Sequence, residues 1–184
     1  SGLIAGLAAG CGTKDNITAP QPPDPYQGHP LYPILSDPYN VMDALRIAYE
    51  GRDSVEIKKL YDDNYIGISI DMTAPGGPLQ LDFTKADEVR HVAAMAKSTT
   101  IANVTLQWPP ALTREQDLGD PPGWTMIRLL PSTVRLEVSD QTTTRSIQSD
   151  QEQFEFKFIP TTPAPGSPTD TLWSIIRWSE VRSP

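Results

Sequence analysis

The stretch that decides the fold is Leu172-Trp173-Ser174-Ile175-Ile176-Arg177-Trp178-Ser179-Glu180. It is rich in β-branched and aromatic residues, which favour strands, and contains neither proline nor glycine. It therefore predicts a long closing strand. Because successive side chains of a regular strand alternate between its faces, we expect Trp173 and Trp178 on opposite faces, one of them turned outwards or into an interface.

The residues before this stretch, from position 99 onward, also have the pattern of strands. Segment 102–108 alternates apolar and polar residues, and segment 124–138 is apolar and β-branched, with Pro131 marking a bulge or a sheet edge. Segment 153–158 alternates Phe with polar residues, and segment 160–169, with four prolines and a glycine, predicts a hairpin loop. With the closing strand, this half predicts four long strands.

The first half of the chain predicts three helices and a β-hairpin. Apolar residues at three- and four-residue spacing indicate the helices, and the hairpin is indicated by alternating segments 64–71 and 79–83 around the breaker Thr73–Pro78. The helix N-caps are Ser36 or Asp37, Asp53 or Ser54, and Thr84, the last in a capping box with Asp87.

This order of elements resembles the nuclear transport factor two-like superfamily, also called SnoaL-like or cystatin-like. The closing Trp-x-Ile-x-Arg-Trp pattern and segment 64–68, similar to the family's first strand, carry the resemblance over residues 37–181. It implies an α+β fold, in which a strongly curved antiparallel sheet wraps around three N-terminal helices as a cone with a pocket. Members include isomerases, cyclases, dehydratases and non-catalytic binding or assembly domains. Many dimerise through the open sheet face, so the resemblance also implies a candidate homodimer of this chain through that face. Fold alone does not choose among these.

Cys11 is the only cysteine and follows the short apolar run 3–10, which ends in small residues. This resembles the end of a bacterial lipoprotein signal peptide, in which the cysteine is lipidated and becomes the mature N-terminus. The run is too short to span a bilayer, and the alternative is a helix with one buried free cysteine. The resemblance implies a membrane partner through lipidated Cys11 and a place in the cell envelope. Asp15 is not directly after the cysteine, which favours the outer membrane or cell surface.

Residues 12–36 form a second segment, with six prolines between positions 20 and 33. Proline lacks a backbone donor and has a fixed φ, so this segment predicts an extended polyproline II tether. A competing use is an arm that binds an envelope protein partner. Its apolar residues are more numerous than a spacer needs, so part of the segment is expected to dock on the domain; they are Tyr26, Leu31, Tyr32, Ile34 and Leu35. The predicted organisation is a signal segment 1–11, the tether 12–36 and the α+β domain 37–184.

Composition excludes several classes. A formal net charge of −8 argues against a nucleic-acid surface, which needs clustered Lys and Arg. One cysteine allows no disulfide framework within the chain, and the two histidines, His29 and His91, are too far apart in sequence to favour a metal site. No cofactor is expected.

An isomerase- or cyclase-like site needs a carboxylate or histidine base inside the cone and a donor for the developing oxyanion. The candidate bases are Asp43, Asp62, Asp63 and His91, and the candidate donors are Tyr49, Tyr61 and Tyr65. Each has a competing structural interpretation: Asp43 lies off the apolar stripe, the two aspartates end a helix, and His91 is spaced for a surface pair with Asp87 or Glu88.

The four tryptophans, with Tyr49 and Tyr61, are candidates for an apolar pocket, an interface or simply the core. They are Trp108, Trp124, Trp173 and Trp178.

Taken together, these features predict a lipid-anchored envelope protein with a non-catalytic binding or assembly domain. The alternatives are an isomerase-, cyclase- or dehydratase-like enzyme for a small hydrophobic substrate, and an envelope or filament subunit that uses the Pro-rich arm. A buried carboxylate facing Tyr or His in an apolar pocket would favour the enzyme.

Overall fold

The structure, a computed structural model, describes residues 31–131, 133–148, 152–161 and 171–183. Cys11 and most of the predicted tether lie outside these residues. The helices are α1 Pro38–Gly51, α2 Ser54–Leu60 and α3 Lys85–Lys97. The strands are β1 Tyr61–Asp71, β2 Leu79–Thr84, β3 Asn103–Gln107, β4 Arg114–Glu115, β5 Thr125–Leu129, β6 Arg135–Ser139, β7 Thr144–Gln148, β8 Glu152–Thr161 and β9 Leu172–Arg182.

The three helices begin at the predicted caps. The Asp37 carboxylate accepts from the Tyr39 N–H, and that of Asp53 accepts from two N–H groups of α2. Thr84 forms the predicted capping box with Asp87. Because these signals are local hydrogen bonds to the first turn, the sequence alone placed all three helix starts to within about one residue.

The strands form two sheets. One has six strands in the order β2-β1-β9-β8-β5-β4, and the other has the order β3-β6-β7. All pairings are antiparallel except β1 with β9, which is parallel. The larger sheet is thus mixed and open-edged, and the prediction of a wholly antiparallel sheet is wrong. Hairpin partner β2 covers one edge of β1, so β9 pairs along the other edge, where it runs in the same direction as β1.

The second half contains more strands than predicted. Segment 124–138 divides into β5 and β6, which belong to different sheets, so Pro131 lies at a crossing between sheets and not at a bulge. Strand β7 has the polar sequence Thr-Arg-Ser-Ile-Gln and, among the described strands, pairs only with β6. A polar edge strand carries no apolar alternation, which is why the sequence did not reveal it.

The core lies between the helices and the larger sheet. Val41 and Leu45 of α1, Ile57 of α2 and Val92 of α3 are fully buried with residues of β5, β8 and β9. Tyr32 and Leu35 also pack on this core, and the Leu35 carbonyl accepts from the Trp173 N–H at 2.8 Å. Part of the predicted tether therefore docks on the domain through Tyr32 and Leu35, whereas Leu31 and Ile34 are exposed.

No helix among the described residues has both the length and the apolar character needed to cross a membrane.

Strand β9 contains a bulge that changes which way its tryptophans point. Phe156 pairs with Trp178 and Pro160 with Trp173, and the register shifts between them because Ile176 is an extra residue. Directly opposite residues of an antiparallel pair share a face. Trp173 and Trp178 therefore lie on the same face, both packed against the core, and the prediction of opposite faces is wrong.

Candidate functional site

Two adjoining cavities lie beside the core. The first, the α3 cavity, has a volume of about 540 Å³ and is bounded by α3, β1, β2 and β9. The second, the inter-sheet cavity, has about 260 Å³ and lies between β3 and β6 of the smaller sheet and β8 and β9 of the larger. Their shared lining residues are Tyr49, His91, Trp178 and Glu180.

The sheet side of these cavities is built from cross-strand rows over β2, β1, β9 and β8. The rows are Phe83-Gly67-Trp178-Phe156, then Leu81-Ser69-Glu180-Phe154, then Leu79-Asp71-Arg182-Glu152. Because side chains two apart on a strand share a face, all three rows lie on one side of the sheet. The first row is aromatic apart from its glycine, the second contains a single carboxyl, that of Glu180, and the third contains three charged side chains.

A buried carboxylate lies on the helix side of the α3 cavity. Glu88 is 9% exposed, and the Tyr65 hydroxyl, also buried, donates to its Oε1 at 2.9 Å. Burial raises the pKa of Glu88, and the hydrogen bond from Tyr65 opposes that shift. Burial and the nearby Glu88 raise the pKa values of Tyr49 and Tyr65 above their usual range, so both phenols are neutral at ordinary pH.

Gly67 makes the position of Tyr65 possible. A Cβ atom at residue 67 would lie 2.5 Å from the Tyr65 hydroxyl oxygen and 3.3 Å from the Phe83 Cβ. The Tyr65 ring therefore lies over the glycine two residues along its own strand. Any larger residue there would push the hydroxyl away from Glu88.

A second carboxylate lies on the sheet side. Glu180 has no hydrogen-bond or ion-pair partner within the described part of the chain. Burial raises the pKa of Glu180, as does Glu152, while Arg182 lowers it. Arg182 itself lies 3.4 Å from Glu152 and 3.9 Å from Asp71, so its charge is shared between those two carboxylates.

Trp178 stands where the two cavities meet. Its ring stacks on Phe156 with centroids 5.2 Å apart and is tilted against Phe154 at 6.5 Å. Its indole Nε1 is buried and has no acceptor among the described residues. A buried donor without a partner costs free energy that a ligand acceptor would recover.

Most of the predicted bases lie away from these cavities. Asp43 is exposed and pairs with Arg46 at 3.6 Å. Asp62 accepts from the Asn64 N–H, and Asp63 pairs with Lys85 at 2.8 Å. These three carboxylates serve local structure and line neither cavity.

His91 lines both cavities but does not form the expected surface pair. The Asp87 carboxylate is instead held by Thr84 and by Arg90. The His91 ring is exposed and tilted against Tyr49, with centroids 6.3 Å apart. The structure thus brings His91, Tyr49 and Tyr65 together around one cavity.

The other predicted aromatics are dispersed. Trp108 lines the inter-sheet cavity, and Tyr61 packs on Tyr65 at 4.3 Å. The Arg177 guanidinium lies 5.7 Å from the Trp124 ring, and that of Arg114 lies 4.7 Å from Trp173. The four tryptophans therefore do not form one cluster.

Sequence reasoning missed Glu88 and Glu180 as site residues. Glu88 stands four residues before buried Val92, so a helical projection puts it on the buried face of α3. Glu180 stands two residues after Trp178 on the same face of β9. Both signals were present, but charged residues in such positions are ordinarily taken as exposed.

No group of three or more metal-ligating side chains is found in the described ranges. The available groups are two carboxyls, an imidazole, neutral phenols and an indole N–H against apolar walls. Such a set can bind a small molecule and orient it by hydrogen bonds, and a carboxyl of the set can accept a proton from that molecule or release one to it.

No family model matches the sequence, and no curated protein matches it significantly. A similar solved structure is that of a Nuclear transport factor 2 (NTF2-like) superfamily protein from Salmonella enterica, with 9% identity, a TM-score of 0.51, and coverage of 78% of this chain and 87% of that one. Others are a protein with a cystatin-like fold from Caulobacter vibrioides (10% identity, TM-score 0.49, coverage 79% and 87%) and an NTF2-like protein of unknown function in nutrient uptake from Rhodospirillum rubrum (14%, 0.47, 80% and 99%). At these identities a likeness shows the fold alone: the described domain has an α+β fold similar to that of the NTF2-like superfamily protein from Salmonella enterica.

Proposed function

We propose that this protein is a lipid-anchored component of the bacterial cell envelope whose domain binds a small, largely apolar ligand in the α3 cavity. The observation that carries the binding role is the Glu88–Tyr65 pair, a buried carboxyl fixed by a hydroxyl in the wall of an aromatic cavity. Ligand pockets typically hold about 300–1,000 Å³ and combine apolar walls with a few fixed polar groups. The α3 cavity fits that description.

Binding without catalysis is the better-supported role, because the Tyr65 hydroxyl is already used in its hydrogen bond to Glu88. Tyr65 has one hydroxyl proton, and with it the hydroxyl donates a hydrogen bond to Glu88. The same hydroxyl cannot also donate to an oxyanion. The pair therefore serves to orient a ligand more readily than to supply both a base and an oxyanion donor.

The binding role is tested by filling the cavity. Ala94 lines the α3 cavity, whereas Ala96, on the same helix and also exposed, does not. The neutral fluorescent probe N-phenyl-1-naphthylamine should bind the unmodified protein saturably, at one molecule per chain. Ala94→Trp should weaken that binding at least tenfold, and Ala96→Trp should leave it unchanged. Equal binding by both variants would contradict a ligand site in this cavity.

An acid–base enzyme is a second candidate, favoured by one observation. Glu88 is a buried carboxyl with a raised pKa, and only its Oε1 is hydrogen-bonded within the described part of the chain. A proton-transfer enzyme of the isomerase or dehydratase kind needs such a group. The test is deuterium exchange at the α-carbon of cyclic ketones in D₂O, followed by NMR. Exchange that is faster than in buffer and lost in Glu88→Gln supports this candidate; no exchange above buffer excludes it for these substrates.

Support for the anchor comes from the sequence around Cys11. A diacylated cysteine supplies the two chains that stable anchoring requires, at about 0.8 kcal/mol per buried methylene. Native protein should therefore enter the detergent phase, resist high-salt washing, and have the intact mass of a chain acylated at Cys11. The Cys11→Ser variant should be released. An unacylated mass with the preceding residues retained would overturn the anchor and leave the binding role untouched.

A further inference from the structure

The charged groups around the α3 cavity do not balance. Arg90 pairs with Asp87, and Arg182 is shared between Asp71 and Glu152. Asp82, at the rim, is exposed and accepts from Gln80. The described walls therefore hold two carboxyls that are at least partly buried, Glu88 and Glu180, and neither arginine forms an ion pair with them.

These two carboxyls come from different walls of one cavity. Glu88 lies on α3 and Glu180 on β9, and both line the α3 cavity. Taking a carboxylate out of water is costly unless a cation or hydrogen bonds compensate for the lost solvation. Within the ranges that the structure describes, Glu88 has only the neutral Tyr65 as hydrogen-bond partner, and Glu180 lies in the row between Ser69 and Phe154. A ligand cation in the cavity would supply the missing charge to both.

The remaining wall is aromatic. Tyr49, Tyr65, Phe83 and Trp178 line the same cavity as the two carboxyls. The face of an aromatic ring attracts an organic cation, by about 0.5–1 kcal/mol at an exposed site and about 2 kcal/mol when water is excluded. Carboxyls combined with aromatic rings are suited to a cation that carries apolar groups, and less suited to a strongly hydrated metal ion.

We infer that the α3 cavity selects an organic cation, a quaternary or protonated amine with an apolar body, held between Glu88 and Glu180 against the rings of Tyr49, Tyr65 and Trp178. This inference rests on the proposed binding function and names its ligand class. The chain's net charge of −8 acts in the same direction, since it attracts cations and repels anions at long range.

The test compares three compounds of similar shape by equilibrium dialysis: the cation benzyltrimethylammonium, its neutral carbon isostere neopentylbenzene, and the anion 3-phenylpropionate. The cation should bind at least tenfold more tightly than the isostere, and the anion should not bind. Ala94→Trp should abolish binding of the cation.

The matched variants are Glu180→Gln and Glu88→Gln, with Glu137→Gln as the control. Glu137 is next to cavity-lining Leu136 on β6 but on the opposite face of the strand, paired with Arg135. Each of the first two should weaken cation binding about tenfold and leave the isostere unchanged, while the control should change neither. Should Glu88→Gln fail to fold, Glu180→Gln carries the test by itself.

Equal affinity for cation and isostere would overturn the inference, as would a Glu180→Gln variant that weakens both compounds equally. If no compound of the three binds while N-phenyl-1-naphthylamine still does, the cation inference fails and the binding function stands. If that probe also fails to bind, both fail.

Discussion

At the scale of single residues, Gly67 decides where the Tyr65 hydroxyl can stand. The glycine has no Cβ, and a Cβ there would overlap the Tyr65 hydroxyl that donates to Glu88. The sequence places Tyr65 and Gly67 in one strand, but their contact with Glu88 joins positions 23 residues apart. A strand pattern cannot reveal such a contact, which explains why the predicted donor Tyr65 was found without its carboxyl partner.

Gly67→Ala should detach the Tyr65 hydroxyl from Glu88. The new methyl would lie 2.5 Å from the hydroxyl oxygen, so the ring must move and the buried carboxyl loses its partner. Leaving a buried polar group unsatisfied costs about 1–3 kcal/mol, and we expect the free energy of unfolding in urea to fall by that amount. In a Tyr65→Phe background the same substitution should cost at least about 1 kcal/mol less, since the hydroxyl is already absent. Additive costs in this double-mutant cycle would show that the contact is not what Gly67 protects.

Glu88→Gln should change how stability depends on pH. Burial raises the pKa of Glu88 above the value of about 4.3 that an unfolded chain gives it. The folded state therefore binds this proton more tightly, and stability is lost as pH rises from that value through the raised one. Glutamine cannot ionise and still accepts from Tyr65. The variant should gain on the unmodified protein across this interval, by about 1.4 kcal/mol for each pH unit that separates the two pKa values. Chemical denaturation between pH 4 and 8 measures it, and parallel stability curves would contradict it.

At the scale of elements, the helix caps could be predicted from the sequence, whereas the pairing of the strands could not. Caps such as Asp37 and Thr84 are read from neighbouring residues, and all three helices begin where those caps indicate. Strand β7, the parallel pairing of β1 with β9, and the bulge at Ile176 depend on which strands meet. Nothing within a single segment specifies its neighbour, so these features required the structure.

Asp53 joins two elements, which makes its carboxylate more costly to remove than an ordinary cap. It accepts from the Val55 and Glu56 N–H groups and from the Tyr32 hydroxyl, each at 3.0 Å. Asp53→Ala should lower the free energy of unfolding by about 1–2 kcal/mol for the cap and by about 1 kcal/mol more for the Tyr32 bond. Asp53→Asn keeps an accepting oxygen and should cost much less, and Tyr32→Phe should cost only the second amount. Equal losses in the alanine and asparagine variants would argue against capping.

At the scale of the whole molecule, the two sheets are unequally buried. Ile127, Phe156, Phe158 and Ile175 of the larger sheet are buried, whereas Val104 alone reaches that level among the described side chains of β3, β6 and β7. The inter-sheet cavity, walled by Leu106 and Leu136 on one side and by β8 and β9 on the other, replaces packing contacts between the sheets. The smaller sheet should therefore open at a lower free energy than the larger one.

Hydrogen exchange resolves this difference in stability. Amides of β3, β6 and β7 should exchange at least about tenfold faster than those of β8 and β9, because a sub-global opening of the smaller sheet does not require the core to unfold. A ligand that reaches from the α3 cavity past Trp178 into the inter-sheet cavity would join the two sheets, and should slow exchange in β3 and β6 selectively. Protection that rises equally throughout the chain would mean that the ligand stabilises only the global fold. Equal exchange of both sheets in the free protein would show that they unfold as one unit, and the cavity would then have no role in separating them.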